Sequence, residues 1–549
     1  MIKEYVVTLK EFRDLEQFYI DMETEGGDLF IPNREVNIAL RRSNSRNTHY
    51  YLTDEEAAIL RNDSRVLSVE QPPLDIGIEI KPMWVQEGPW DKSTSISSNE
   101  KNWGLLRCIE GSQTVSEWGN DPDVDPSYTG NTLRTGSVSF PHEGEHVDVI
   151  IIDGIIDPSH PEFAKNADGT GGSRVIQYNW KQHDLGSGVG TYDYDVLLNN
   201  KSNVSIKENN NHGAHVAGTV AGNTQGWARK ANIYNIYAYG NDYLQIIDYV
   251  RAFHNSKPIN PITGRKNPTI CNSSFGFTYQ RVQYSQIGML QYLGSIQLKS
   301  FTQAELEDAG LKFDQNITAA CGSRVSGLEQ DYIDAMNDGI IMVAAAGNDS
   351  LRMYNPEDAH YNNSFSATFA LNQNLYYHRG MSPGATPGVI CVGSVNCLKS
   401  EKKASFSNCG PRVDIFAPGF RIVSAANDGD VFAVTTTDPR DQTKFIGKIN
   451  GTSMASPQVA GVLACVLGVY PKMTQAQAME YITSNSTKNQ IPAGADTYLD
   501  NNAIQAAPNR YLFAKKERKD IGETYPKKDY FIRPTAGATY PRINRARYK

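Results

Sequence analysis

The sequence predicts an α/β protein: a doubly wound, mostly parallel sheet preceded by a small α+β unit. Two features carry the larger part. Apolar runs of strand length end in a polar residue at Asp153 and at Asn348. Such runs alternate with helical spacing, the pattern of buried parallel strands joined by crossover helices, with a site at the strand C-termini. A third feature defines the smaller part: the first seventy residues alternate strand, helix, strand, strand, helix, strand.

With 549 residues the chain is long enough for two or three domains. A net charge of −8 argues against a general nucleic-acid binder. The first ten residues are too short and too charged for a secretory core, and no segment is expected to span a membrane. Seven cysteines, an odd number lying partly in apolar runs, fit reduced buried thiols better than a disulfide framework.

In chain order, residues 4–9 read as a strand. Residues 11–25 carry helical spacing through Leu15, Phe18, Tyr19 and Met22. Extended stretches follow at 36–40 and 49–52. Thr53-Asp54-Glu55-Glu56 is a capping box opening a short helix, and 66–69 reads as a last strand. The order βαββαβ is ferredoxin-like, a fold that hosts many functions. From Gln71 to Asn102 prolines and a serine cluster predict a solvated connector. The expected division is therefore a first domain at 1–75, a linker with a processing site at 76–102, a main domain at 103–509, and a tail at 510–549.

Four stretches of the main domain carry chemistry. Residues 146–153 form a strand ending in Asp153. Asn211-His212-Gly213-Ala214-His215 opens a small-residue segment that lets a helix pack closely, with His212 expected at the helix entrance. His212 and His215 also have the types for a metal pair, but no HExxH carboxylate accompanies them and a third ligand would be needed. His215 reads better as a packed structural histidine. Residues 341–348 form another buried strand, ending in Asn348. In Gly451-Thr452-Ser453-Met454-Ala455, Ser453 lies in the first turn of an apolar helix, where unpaired N–H groups and the helix dipole favour developing negative charge. A serine there is most often a cap. Pro457 is expected within the first turn, where no N–H bond is lost.

Together these stretches resemble the subtilisin-like serine proteases, in the family's chain order Asp, His, Ser. The resemblance implies catalysis by Asp153, His212 and Ser453, with Asn348 in the oxyanion hole. An imidazole must take the serine proton before the hydroxyl is a useful nucleophile, and the carboxylate fixes the ring tautomer. It also implies an S1 pocket walled by Ser274, Phe275 and Gly276 on one side and Ala345, Ala346 and Gly347 on the other. Polypeptide substrate would add as a β-strand.

Residues 51–56 and 65–70 resemble the family's inhibitory propeptide, which implies a zymogen whose N-terminal domain is an intramolecular inhibitor. Trp103-Gly104-Leu105-Leu106-Arg107 resembles the opening of mature enzymes of the proteinase K branch. The sequence departs from the family at Ile155, where glycine is usual. It departs again after 233–239, where Gly240 leads almost directly into the helical 243–247 and shortens the second substrate edge. Insertions fall around 165–210, 278–328, 351–386 and 427–448. No cofactor or metal ligand is assigned. The asparagine-rich loop with which some subtilisins hold calcium is missing after Gly222, and calcium on loop carbonyls and carboxylates stays open.

Between 515 and 549 eleven Lys and Arg face four Asp and Glu, a net +7 interleaved with tyrosines. This basic tail reads as solvated and disordered, or as an arm for an acidic or assembly partner. The expected location is intracellular or virion-associated. The alternative to a protease is a catalytically weak scaffold or assembly protein on the same fold, again with a virion association in view.

Overall fold

The computed structural model describes residues 1–31, 38–42, 44–82, 103–110, 143–183, 185, 202–240, 243–279, 281–367, 374–397, 401–429, 435–495 and 497–514. In the N-terminal part, strands β1 (Lys3–Leu9), β2 (Ile38–Arg41), β3 (Asn47–Leu52) and β4 (Val66–Glu70) form one antiparallel sheet in the order β2-β3-β1-β4. Helices α1 (Leu15–Glu23) and α2 (Asp54–Leu60) complete the βαββαβ order. Thr53 and Glu56 form the expected capping box. Tyr5, Val7, Phe18, Met22, Tyr50 and Leu60 fill a separate small core.

The connector differs from expectation. Ile78–Pro82 is not solvated linker but a strand, β5, laid antiparallel on the main domain. Ile78 is 3% exposed. Alternating isoleucines bury one face, a pattern that the flanking prolines obscured. The expected processing region beyond it, 83–102, lies outside the described residues.

Among the described residues the main sheet has nine strands. Taken across the sheet, Val175–Ile176 is followed by β7 (Asn232–Tyr237), β6 (Asp148–Asp153), β8 (Thr269–Ser273), β10 (Ile341–Ala345), β11 (Ile390–Val395) and β12 (Ile415–Pro418). These seven run parallel, and Arg510–Tyr511 and Thr487–Lys488 finish the edge. The remaining strand that concerns the site is β9 (Phe275–Tyr279), which follows β8 and pairs with β5. Because Arg510–Tyr511 joins the sheet and Leu512 and Ala514 are buried, the main domain runs to at least 514, past the boundary expected at 509. The tail from 515 lies outside the described residues.

Helices cover both faces: α3 (Trp103–Glu110), α4 (Val204–Ala221), α5 (Ile246–Ser256), α6 (Ser326–Asn337), α7 (Thr452–Val469) and α8 (Gln475–Asn485). One of them, α7, does reach the length and hydropathy of a membrane span, against expectation. It is 89% buried within the protein, so its apolar character on every side is that of a central core helix. Insertions 278–328 and 351–386 combine into one satellite with its own core around Leu290, Phe301, Phe365 and Tyr377. All seven cysteines are buried and none is in a disulfide.

The N-terminal sheet docks on α5 and α6. Arg42 is 1% exposed and bonds both Asp248 and Asp331 at 2.7 Å. Glu70 accepts from the backbone N–H and the hydroxyl of Ser326, the first residue of α6, at 3.1 and 2.7 Å. Val325, at the N-cap, makes no side-chain cap, so a carboxylate from another part of the chain takes that place.

Candidate active site

Asp153 ends β6 and turns the chain without a left-handed φ at Ile155, which removes the need for glycine there. Three asparagines hold the turn instead. Asn210 Oδ1 accepts from Ile155 N–H, Asn235 Oδ1 accepts from Ile156 N–H, and Asn427 Nδ2 donates to the Ile155 carbonyl. Sequence reasoning missed all three; the run Asn209-Asn210-Asn211 was the available signal.

Helix α4 begins at Val204, capped by Asn203. His212 therefore stands in the middle of the helix, not at its entrance. The upstream Lys-Glu-Asn-Asn-Asn run resembles loop by composition, and packing overrides that weak preference. A Cβ on Gly213 would lie 2.3 Å from the Gly154 carbonyl oxygen, so only glycine lets α4 press against the turn after Asp153. That contact brings His212 Nδ1 to 2.7 Å from Asp153 Oδ1, with both side chains fully buried. Asp153 Oδ1 also accepts from Gly154 N–H at 2.7 Å. An ionised carboxylate only accepts, so Nδ1 carries the proton and a neutral ring leaves Nε2 basic. Nε2 is buried and has no hydrogen-bond partner among the described residues.

His215 faces elsewhere. Its Nε2 donates to the carbonyls of Ile422 and Gly447, and burial lowers its pKa to about 3, with neighbouring His212 adding to the shift. Among the described residues no group of three His, Cys, Asp or Glu side chains can hold a metal ion. Near the loop after α4 the carbonyl oxygens of Glu162, Ala164 and Ala221 and the Asn223 side chain converge instead on the Arg174 guanidinium, at 2.7–3.2 Å.

Ser453 is the second residue of α7, after Gly451 at φ +154°. Pro457 is not in the first turn as expected but one turn on, where its missing N–H frees the Ser453 carbonyl. Ser274 Oγ donates to that carbonyl at 3.0 Å, and the Ser453 hydroxyl donates to the Ser274 carbonyl at 2.9 Å. No Ser453–His212 hydrogen bond is formed in this arrangement; rotation about Cα–Cβ is what would release the hydroxyl. The Ser453 N–H lies in the first turn, with no carbonyl four residues back to bond.

Asn348 follows β10. Its Oδ1 accepts from both the N–H and the hydroxyl of Thr452, each at 2.9 Å. The backbone donor demands the oxygen there, so the amide's Nδ2 is turned away from Thr452 and has no partner among the described residues. An anchored amide with a free N–H beside the start of α7 has the form of an oxyanion donor.

Ser273 and Ala344 are paired across β8 and β10, so Ser274–Gly276 and Ala345–Gly347 continue the chain from adjacent positions. Asn272 Nδ2 donates to Ser274 Oγ at 2.8 Å and Ser456 Oγ lies 3.0 Å from it, fixing that wall to α7. β5 lies along the same wall. Residues 241–242, at the second substrate edge, lie outside the described residues.

The family model of the subtilase family matches residues 144–505. Over 411 residues, 74% of this chain, the sequence is 28% identical to a subtilisin-like protease of Coccidioides posadasii, covering 57% of that protein. Over 350 residues, 63% of the chain, it is 25% identical to subtilisin E of Bacillus subtilis, covering 62% of it. The chain thus spans less than two thirds of the length of either relative. Among solved structures it is similar to fervidolysin of Fervidobacterium pennivorans, at 17% identity and a TM-score of 0.49, covering 93% of this chain and 60% of that one.

Proposed function

Because the chain belongs to the subtilase family, we propose that it hydrolyses polypeptides as a serine endopeptidase, with Ser453 as nucleophile, His212 as base and Asp153 as the group that orients it. The observation that carries the reading is the buried Asp153–His212 bond, with Nε2 left unbonded. Ser453 Oγ adds to the substrate carbonyl as His212 takes its proton. The charge that forms on the oxygen is met by Asn348 Nδ2 and the Ser453 N–H, and the proton then passes to the leaving amine. Water resolves the acyl-enzyme by the same route.

Residues 1–75 act as the intramolecular inhibitor of an autoprocessed zymogen. The buried Arg42 pairs and the Glu70 cap support that role, as does β5 lying on the substrate wall. Seven buried thiols support a reducing compartment.

A fluorophosphonate tests the reading, since rapid labelling needs a competent serine and oxyanion hole. Wild-type chain freed of residues 1–75 labels at Ser453 and Ser453→Ala does not. The alternative, a weakly active scaffold, is favoured by the Ser453 hydroxyl resting on Ser274, and it expects no rapid labelling.

A further inference from the structure

We infer that Met381 closes the far end of the pocket for the acyl-side residue of the substrate, so that the chain cuts after small residues such as alanine and not after large aromatic ones. This rests on the proteolytic reading above and names the substrate class that goes with it.

One buried segment reaches both walls of that pocket. On the first wall, Phe277 follows Gly276 and donates its N–H to the Ser382 carbonyl at 3.1 Å, on the edge of β9 away from β5. On the second, a Cβ added to Gly384 would lie 2.4 Å from the Ala345 carbonyl oxygen, so residue 384 presses on that backbone. Residues 381–384 therefore bridge the walls, and Met381 starts the bridge.

The Met381 side chain lies against the wall that leads to Asn348. It packs on Ala345 as a buried pair separate from the larger cores. Its Cε is 2.8 Å from where a Cβ on Gly347 would stand. Gly347, at φ +106°, is in a conformation that side chains disfavour, and it leaves that space to the methionine methyl. The thioether thus touches the second wall at its first and last residues.

The methionine has little room to swing aside. It is 1% exposed, and a Cβ on Gly322 would already stand 3.1 Å from its own Cβ. Its carbonyl accepts from Ala385 N–H at 2.8 Å. The next residue, Ser382, donates its N–H to the Ser323 carbonyl at 3.0 Å, and its Oγ accepts from Val325 N–H at 3.0 Å. An aromatic substrate side chain would have to overlap the methionine or displace this tied segment, and overpacking a buried site is unfavourable. A methyl group stops short of it.

The purified full-length enzyme is given tetrapeptide substrates that differ only in carrying alanine or phenylalanine before the scissile bond. Fluorophosphonate labelling at Ser453 reports a folded, competent site. The ratio of the two kcat/KM values does not depend on how much enzyme the N-terminal domain holds closed. It should favour alanine by about tenfold or more, within the range that small misfits command in an apolar pocket. Met381→Gly should move the ratio toward phenylalanine by about tenfold or more, while Met381→Leu, which keeps the volume, should leave it in place.

An enzyme that labels but shows no preference, favours phenylalanine, or cuts neither peptide overturns the Met381 inference and leaves the protease reading standing. So does a Met381→Gly enzyme that labels and keeps the wild-type ratio. If the glycine variant does not label, the wild-type ratio decides. A wild-type chain that neither labels nor cuts overturns both.

Discussion

Ser274 and Ser453 bond each other twice: the Ser453 hydroxyl donates to the Ser274 carbonyl at 2.9 Å, and Ser274 Oγ donates to the Ser453 carbonyl at 3.0 Å. The second bond exists because Pro457 withholds the N–H that α7 would otherwise supply. Ser274→Ala leaves that buried carbonyl unpaired and is expected to cost about 1–3 kcal/mol. Restoring the N–H with Pro457→Ala should shrink the cost, so the two changes are non-additive in a denaturant cycle. Equal costs in both backgrounds would mean that the bond is not what ties the substrate wall to α7.

Asn348 holds Thr452 with its oxygen, and its nitrogen has no partner among the described residues, so one atom supports the fold and the other is left for the proposed oxyanion contact. Asn348→Asp keeps the acceptor and deletes the donor. It is expected to lower kcat by about 10²–10³-fold with little change in KM, the magnitude seen for such donors in subtilisin. Its thermal midpoint should stay near wild type. A fall in stability without a fall in kcat would move Asn348 to a structural role.

The Asp153–His212 contact and the place of Ser453 at the start of α7 were legible where each lies in a short local pattern: a strand ending in Asp153, small residues around His212, and Gly451 before Ser453. The fold order of the first seventy residues was legible for the same reason. β5 was not, since its partner β9 is some two hundred residues away and prolines flank it. The first half of α4 was hidden by its asparagines, and the last strand at 510–511 by the basic run that follows it. Nothing local marks Pro457 as lying one turn into α7; that depends on where Gly451 starts the helix.

Acid should unfold this protein through histidines buried without charge. Burial lowers both His215 and His378 to about 3, and both are fully buried. In the unfolded chain they titrate near 6.5. Between these values the unfolded state binds more protons, so stability is complete above about pH 6.5 and is lost as pH falls toward 3. At pH 5 each contributes a loss of roughly 2 kcal/mol. Thermal midpoints across pH 5–7.5 should fall with acidity, and His378→Gln should flatten that slope even if it lowers the midpoint at neutral pH. An unchanged slope would place the acid sensitivity elsewhere.

Arg42 carries the docking of the N-terminal sheet through two carboxylates that would otherwise face each other in a dry interface. Burial pushes Asp331 up to about 6 even with the guanidinium pulling it down, and Ser45 and Asn47 also donate to it. Arg42→Ala leaves two buried acids without a cation, and breaking such a pair costs about 3–5 kcal/mol. In the uncut Ser453→Ala chain, amide exchange in β1 to β4 should quicken in the Arg42→Ala background while β6, β8 and β10 stay protected. Adding Asp248→Asn and Asp331→Asn should restore part of the protection, because the cost comes from stranded charge and not from lost shape. If the triple variant exchanges as fast as the single one, the arginine acts by packing alone, and release of the N-terminal domain would not be governed by this pair.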